Sequence, residues 1–217
     1  MKELLDGDLT RVRNVVRFSN CNRIKNESVA EHSYFTAYFS LILGMALVVE
    51  EGVCVDMGEL LSSAILHDIE ECRSGDFVRS FKYTTVDMKR NIEDCATKYM
   101  QTAFNPLFSK ELSVLREEEP SHSLNYLWKN AKETYSIERD IVAFADFLSM
   151  ISYVINEINY GNTKICGQLE DMASYVESFY KRNFSKYNEV QHWLQQVKCI
   201  LIEYNIMTGF ENEDKKI

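Results

Sequence analysis

Residues 29–50 read VAEHSYFTAYFSLILGMALVVE. Apolar side chains stand at nearly every position, with no two-residue alternation and no proline. The stretch is far longer than a strand commonly runs, so it reads as a helix, and one apolar nearly all round belongs at the centre of a fold. His32 sits in its first turns, where a polar ring is out of place.

Working outward, the polar segment SNCNRIKNES (19–28) reads as a loop, preceded by a predicted helix over residues 2–18 with Leu5, Leu9, Val12, Val15 and Val16 at helical spacing. On the other side Asp56 is placed to cap a helix, MGELLSSAILHDIEE (57–71), which Ser74-Gly75-Asp76 breaks. Residues 86–103 form an amphipathic pattern closed by Asn105-Pro106. The run Arg116-Glu-Glu-Glu119, ended by Pro120, reads as a solvated helix end, and residues 121–133 fit a helix around Leu124, Leu127 and Trp128 without demanding one. SIERDIVAFADFLSMISYVINEIN (136–159) is the clearest late helix, stopped by Gly161-Asn162. Further helices are expected over 167–183 and 187–207, with a frayed tail. The expectation is an all-α, single-domain helical bundle of about seven or eight helices, spanning residues 1–217.

Totals agree. A chain of 217 residues that is 46% hydrophobic buries a full core, and two prolines with eight glycines are too few for many short strands. The net charge of −9 argues against a polymeric nucleic-acid or membrane surface, while leaving room for a small anion in a locally cationic pocket. The first residues carry charges throughout and no apolar signal core, and no uninterrupted segment such as ALVVEEGVCV is long enough to span a bilayer. Six scattered cysteines without a CxxC pair read as reduced thiols, and the chain as cytoplasmic.

Three helices each carry a polar group in an apolar setting: His32, the pair His67-Asp68 at the end of AILHD, and Asp146 inside IVAFADFLSMI. Each has a bland reading alone. His32 fits a core histidine bonded to a carbonyl, and Asp146 fits a helix cap or a pair with Arg139 or Lys82. An unpaired buried carboxylate is costly, however, and three such violations in one chain point to a meeting place. Two imidazoles and two carboxylates suit one divalent cation, cancel its charge, and leave positions open for water as hydrolysis requires. Glu71 lies one helical turn from His67, placed to take a proton from a metal-held water. Glu70 points elsewhere and reads as solvated. His122 and His192 lie in polar surroundings and read as surface residues. Asp76 follows a glycine at a helix exit, where spacing alone makes it an ordinary turn residue.

The ordered set His32, His67-Asp68 and Asp146 resembles the H…HD…D signature of the HD-domain metal-dependent phosphohydrolases. Arg17-Phe18, Glu27-Ser-Val-Ala-Glu-His32-Ser, His67-Asp-x-x-Glu71-x-x-Ser-Gly-Asp76, Lys82 and Ala145-Asp146 resemble the YfbR-like 5′-deoxynucleotidase branch over about residues 11–162, leaving 163–217 as additional C-terminal helices. The resemblance implies that His32, His67, Asp68 and Asp146 hold one divalent metal (Mn, Co, Fe, Zn, Ni or Mg). It also implies that Glu71 is the catalytic carboxylate, that Arg17 binds the phosphate, that Asp76 lies near the sugar or the attacking water, and that Lys82 touches phosphate. Phe18 stands where the family usually has tryptophan against the deoxyribose; an aromatic face remains, but the indole N–H does not.

The implied activity is removal of the 5′-phosphate from deoxyribonucleoside 5′-monophosphates by a homodimer, with a small nucleotide as substrate. The apolar C-terminal helices are the expected dimer face. A triphosphohydrolase on the same ligands is the nearest alternative, with Arg13, Arg79, Lys82 and Lys89 as candidate cations. Cys72 after Glu71 weakens a guanosine-alarmone hydrolase, and no GYP motif supports a cyclic dinucleotide phosphodiesterase. A non-catalytic nucleotide-binding regulator is the alternative of a different class.

Overall fold

The structure, a computed structural model, describes residues 5–77, 79–82, 84–104, 128, 129, 132, 135–168 and 170–204. Its elements are a 3-10 helix Asp8–Asn14, then α1 (Val29–Glu51), α2 (Met57–Leu66), α3 (Glu71–Ser74), α4 (Arg79–Lys82), α5 (Val86–Phe104), α6 (Ile137–Asn159), a 3-10 turn Thr163–Gln168, α7 (Glu170–Asn183) and α8 (Asn188–Glu203). No strand occurs among the described residues, so the fold is the all-α bundle expected.

Local chemistry fixes the helix ends. The Ser28 hydroxyl accepts from the Glu31 amide while the Glu31 carboxylate accepts from the Ser28 amide, so both partners of a capping box start α1. Gly52, at φ 65°, ends it. Asp56 accepts from the Gly58 and Glu59 amides at the start of α2, and Ser136 accepts from Arg139 at the start of α6. The stop predicted at Gly161 is present, with φ 99°.

Helices α1, α2 and α6 pack on one another, and α8 lies against α1. The core is built on α6, whose Ile141, Phe144, Ala145, Ile151 and Val154 are buried with Leu43 and Leu47 of α1 and Leu60 and Ala64 of α2. The centre is therefore α6 rather than α1. The inner face of α1 holds small or polar residues, including Ser33, Thr36, Ser40 and Gly44, among its buried positions. Gly44 marks the closeness of the contact, since a Cβ there would meet Leu60 Cδ2 at 2.7 Å. The large apolar residues Tyr34, Phe35, Tyr38, Leu41, Ile42, Met45, Val48 and Val49 face outward. Apolarity all round thus marks a helix with one close-packed face and one uncovered apolar face. By length and composition α1 and α6 could each cross a bilayer, yet in the bundle most of the apolar stretch of α6 is buried.

Two expected helices are shorter than their patterns. Residues 2–18 hold a 3-10 helix that ends at Asn14; Val16 then bridges Ser28, with the Val29 amide bonded to the Val15 carbonyl at 2.9 Å and the Arg17 amide to the Glu27 carbonyl at 2.9 Å. Pairing with the approach to α1 satisfies these backbone groups, so the valines are extended. The helix expected over 57–71 ends at Leu66. The Asn105-Pro106 stop, the run 116–120 and His122 lie outside the described residues, as does most of 121–133; Trp128, Lys129 and Lys132 are helical. The helix expected to reach residue 207 is described to Glu203. Cys21, Cys54, Cys72, Cys95 and Cys199 are free thiols.

The loop before α1 is tied down from α6. The buried Glu157 carboxylate accepts from the Ile24 amide at 2.7 Å, the Lys25 amide at 2.8 Å and the Asn162 side-chain amide at 2.8 Å. Burial alone would raise this carboxyl; Asn162 and the two backbone amides overcome it and hold the group below its usual range. Glu157→Ala leaves those donors unpaired and is expected to cost about 2–4 kcal/mol in urea unfolding at neutral pH. The contribution is full above about pH 4.3 and fades as the pH falls through the lowered value, so the gap between variant and parent closes in acid.

Candidate metal centre

After Leu66 the backbone tightens to shorter turns, with Ile69 N bonded to Leu66 O at 3.1 Å and Glu71 N to Asp68 O at 3.1 Å. His67 and Asp68 emerge together at this corner. The His67 Nδ1 lies 2.7 Å from the Ala64 carbonyl and donates to it, which leaves Nε2 pointing inward. On α1, the fully buried His32 sets Nδ1 3.0 Å from Ser149 Oγ, and that hydroxyl donates in turn to the His32 carbonyl at 3.4 Å. Its Nε2 also points inward. Such far-side partners fix the ring tautomer in metal-ligating histidines.

The inward atoms converge. The two Nε2 atoms are 3.3 Å apart. Asp68 Oδ2 is 3.2 Å from His67 Nε2 and 3.8 Å from His32 Nε2, and Asp146 Oδ1 is 2.9 Å from His32 Nε2. The ligand atoms of His32, His67 and Asp68 all lie within 4.8 Å of one another. The Asp146 side chain is 43% exposed, so the cluster reaches solvent on that side.

With both Nδ1 atoms donating outward, four acceptors face one another, an arrangement that requires a cation or a proton among them. Burial would lower both histidines. For His67 the charge and hydrogen bond of Asp68, with Asp146 behind it, overcome burial and push it up to about 9. For His32 burial prevails, aided by the Arg17 charge, and it falls to about 4. Burial also opposes ionisation of Asp68 and Asp146, but His67 holds Asp68 well below the usual carboxylate range and His32 holds Asp146 low. His32, His67 and Asp68 fit a divalent ion on distance, while Asp146 reaches the group through His32 alone; on chemistry the four together offer two nitrogens and two carboxylates with matching charge.

Arg17 lies beside the cluster. Burial opposes its charge, and Asp146, Asp68, Glu27 and Glu71 together more than restore it. Its Nη1 is 3.5 Å from Glu27 Oε2, while Nε is buried without a partner, an unpaired donor on a guanidinium suited to an oxyanion. The Phe18 ring stacks flat on Tyr153 with centroids 5.2 Å apart, and its amide donates to Asp76 Oδ2 at 2.8 Å. Asp76 therefore grips the Arg17-Phe18 segment from the corner after α3. Glu71 has one carboxylate oxygen buried with no partner; burial first, then Asp68 and Asp76, push this group well above its usual range.

Lys82, in α4, makes no hydrogen bond or ion pair to the cluster among the described residues. Glu70, expected in solvent, is buried: it accepts from Trp128 Nε1 at 2.8 Å and pairs with Lys132. Burial would lower the Lys132 ammonium, but Glu70 first, then Asp68 and Glu71, raise it, which places this cation at the edge of the site. Sequence reading missed Lys132, because a lysine in WKNAK (128–132) carries no motif; its helical register with Trp128 was the available signal. His192 is exposed, as expected, with Gln196 2.9 Å from its Nε2.

The family described as 5′-deoxynucleotidase YfbR-like matches residues 7–197. Solved structures with the same fold include an HD-domain phosphohydrolase from Listeria innocua (TM-score 0.65, 19% identity, 94% of this chain and 97% of that one). A conserved hypothetical protein from Pyrococcus furiosus matches with TM-score 0.62 and 21% identity over 92% and 96% of the two chains. The PH0347 protein of Pyrococcus horikoshii matches with TM-score 0.62 and 17% identity over 95% and 99%. No curated protein matches the chain. The chain belongs to the YfbR-like family.

One divalent ion per chain is expected in protein purified without chelator, and His32→Ala or Asp146→Ala should each lose it, read by elemental analysis. Because binding must displace the proton on His67, affinity for Mn or Co should fall about tenfold per pH unit below about pH 9, with release of close to one proton at neutral pH, measured by calorimetry in two buffers.

Proposed function

We propose that this member of the YfbR-like family is a divalent-metal-dependent 5′-deoxynucleotidase that removes phosphate from deoxyribonucleoside 5′-monophosphates. The observation that carries this reading is the juxtaposition of a buried, unpaired guanidinium donor on Arg17 and an unpartnered Glu71 oxygen beside the four-residue cluster. An ion held by His32, His67, Asp68 and Asp146 supplies Lewis acidity to the phosphate and acidifies water.

The chain's own residues do the rest. Arg17 receives phosphate oxygens and offsets their charge. Phe18 offers an aromatic face to the sugar, set in place by Tyr153 and by Asp76 through its amide. Glu71, raised in proton affinity by burial and by its acidic neighbours, takes the proton from the attacking water. Asp76 acts through Phe18, and the leaving 5′-oxygen takes its proton from solvent.

Lys132 supports a second reading, a deoxynucleoside triphosphate triphosphohydrolase, since its charge beside Asp68 and Glu71 would suit a longer phosphate chain. Among the other candidate cations, Arg13 bonds to the Thr10 carbonyl and Lys89 pairs with Glu93. A homodimer is also proposed, with the outward apolar stripe of α1 from Tyr34 to Val49 meeting its copy across a two-fold axis.

A panel of deoxy- and ribonucleoside mono- and triphosphates should release inorganic phosphate from deoxynucleoside monophosphates. Tripolyphosphate from triphosphates would select the second reading, and inactivity on every substrate with metal bound would leave only a non-catalytic binding role. Glu71→Gln should lower kcat by about 10²- to 10⁴-fold. Tyr38→Glu should convert a dimer to a monomer by light scattering, and an unmodified protein already monomeric would overturn the assembly.

A further inference from the structure

Glu27 is buried to 7% exposure, yet it is neither a cluster ligand nor a cap. It is joined to Arg17 twice: the Arg17 amide donates to the Glu27 carbonyl at 2.9 Å, and the side chains meet at 3.5 Å. Both sit on the short antiparallel bridge that pairs Val16 with Ser28, so the backbone fixes the distance between them. Glu27 also lines a cavity of about 190 Å³ with Lys25, Asn26, Ser149 and Tyr153.

We propose that Glu27 is a positioning residue for the phosphate-binding guanidinium, orienting Arg17 and taking up a proton when a tetrahedral dianion arrives beside it. This rests on the reading of Arg17 as the phosphate ligand. The charged and titratable groups around Glu27 are Arg17 on the bridge, Lys25 in the loop, Glu31 on α1, and Asp146, Tyr153 and Glu157 on α6. Burial is the largest influence and raises the carboxyl; Arg17 lowers it, Glu31 and Asp146 raise it further, and it rests at about 7. The group is therefore half ionised near neutral pH. A dianion on Arg17 adds a like charge beside it and favours the protonated form, so binding and proton uptake are linked. Protonation frees the guanidinium charge for the ligand, while the backbone bridge keeps the side chain in place.

Inorganic sulfate is the probe, because it is tetrahedral and stays doubly charged over the range used. With the protein carrying its metal, sulfate affinity should fall about tenfold between about pH 6 and pH 8, and calorimetry in two buffers should show proton uptake near pH 7. Glu27→Gln keeps an acceptor without the charge, so its affinity should vary less with pH by that same factor. Glu27→Asp keeps the charge but withdraws it by one methylene; it should keep the slope and bind more weakly at every pH, and it serves if the Gln variant does not fold. Equal slopes in Glu27→Gln and the unmodified protein, or no slope in the latter, would overturn the proposal. Arg17→Gln separates the premise: sulfate binding unchanged in that variant removes the phosphate role of Arg17, whereas lost binding there with an unaltered slope in Glu27→Gln removes only the role of Glu27.

Discussion

Two buried imidazole nitrogens 3.3 Å apart, each turned inward by a hydrogen bond on the far side of its ring, set the terms for the bundle. They come from different helices, and the carboxylate that meets His32 comes from a third. For α1, α2 and α6 to converge on one point their axes must approach closely. The small inner residues of α1 allow this, and Gly44 against Leu60 shows how little space is left. The same demand explains the outward turn of the large apolar residues of α1, because a bulky inner face would hold His32 away from His67.

This polar cluster balances on few cations. Asp68, Asp146, Glu71 and Glu27 gather around Arg17, with Asp76 beside Glu71, and each raises proton affinity somewhere in the group unless a positive charge stands nearby. Asp68 and Asp146 accordingly push His67 up to about 9, and the guanidinium stands beside them. Lys132 adds a further charge at the edge of the site, where it pairs with Glu70 and also acts on Asp68 and Glu71. A buried pair of this kind is weak evidence of stability in itself. Its placement behind Asp68 and Glu71 instead fixes the corner from which both side chains emerge.

The helical fold and the four convergent residues were legible because they break a pattern: a histidine or aspartate inside an apolar period stands out whatever its surroundings. α6 and the cap at Asp56 follow from the same kind of signal, and the bounds of α6 fall within a residue of the reading. What escaped depends on partners distant in sequence. Val15 and Val16 have helical spacing, but the backbone of residues 28 and 29 claims them. Glu70 is polar among polar neighbours, and only the arrival of Trp128 and Lys132 buries it. Glu157 looks like a helix-end acid and is in fact the anchor of a loop more than a hundred residues earlier.

Phe18 shows how these layers combine. Its φ of 53° is left-handed, a conformation that costs a residue with a side chain about 1–2 kcal/mol. A hydrogen bond to a carboxylate contributes about 1.5–3 kcal/mol and a stacked aromatic pair about 0.5–1.5 kcal/mol. The Asp76 contact and the Tyr153 stack are therefore together large enough to hold the strained backbone. The strain is placed where it matters, because a left-handed residue reverses the chain just after Arg17. It directs the guanidinium to the cluster and the ring to α6. Asp76, which spacing alone would assign to an ordinary turn, is what keeps that reversal in place. A tryptophan at position 18 would add an N–H but could keep the same support, since both the Asp76 bond and the stacking surface are independent of that donor. The identity of the ring can change while the geometry beneath it stays constant.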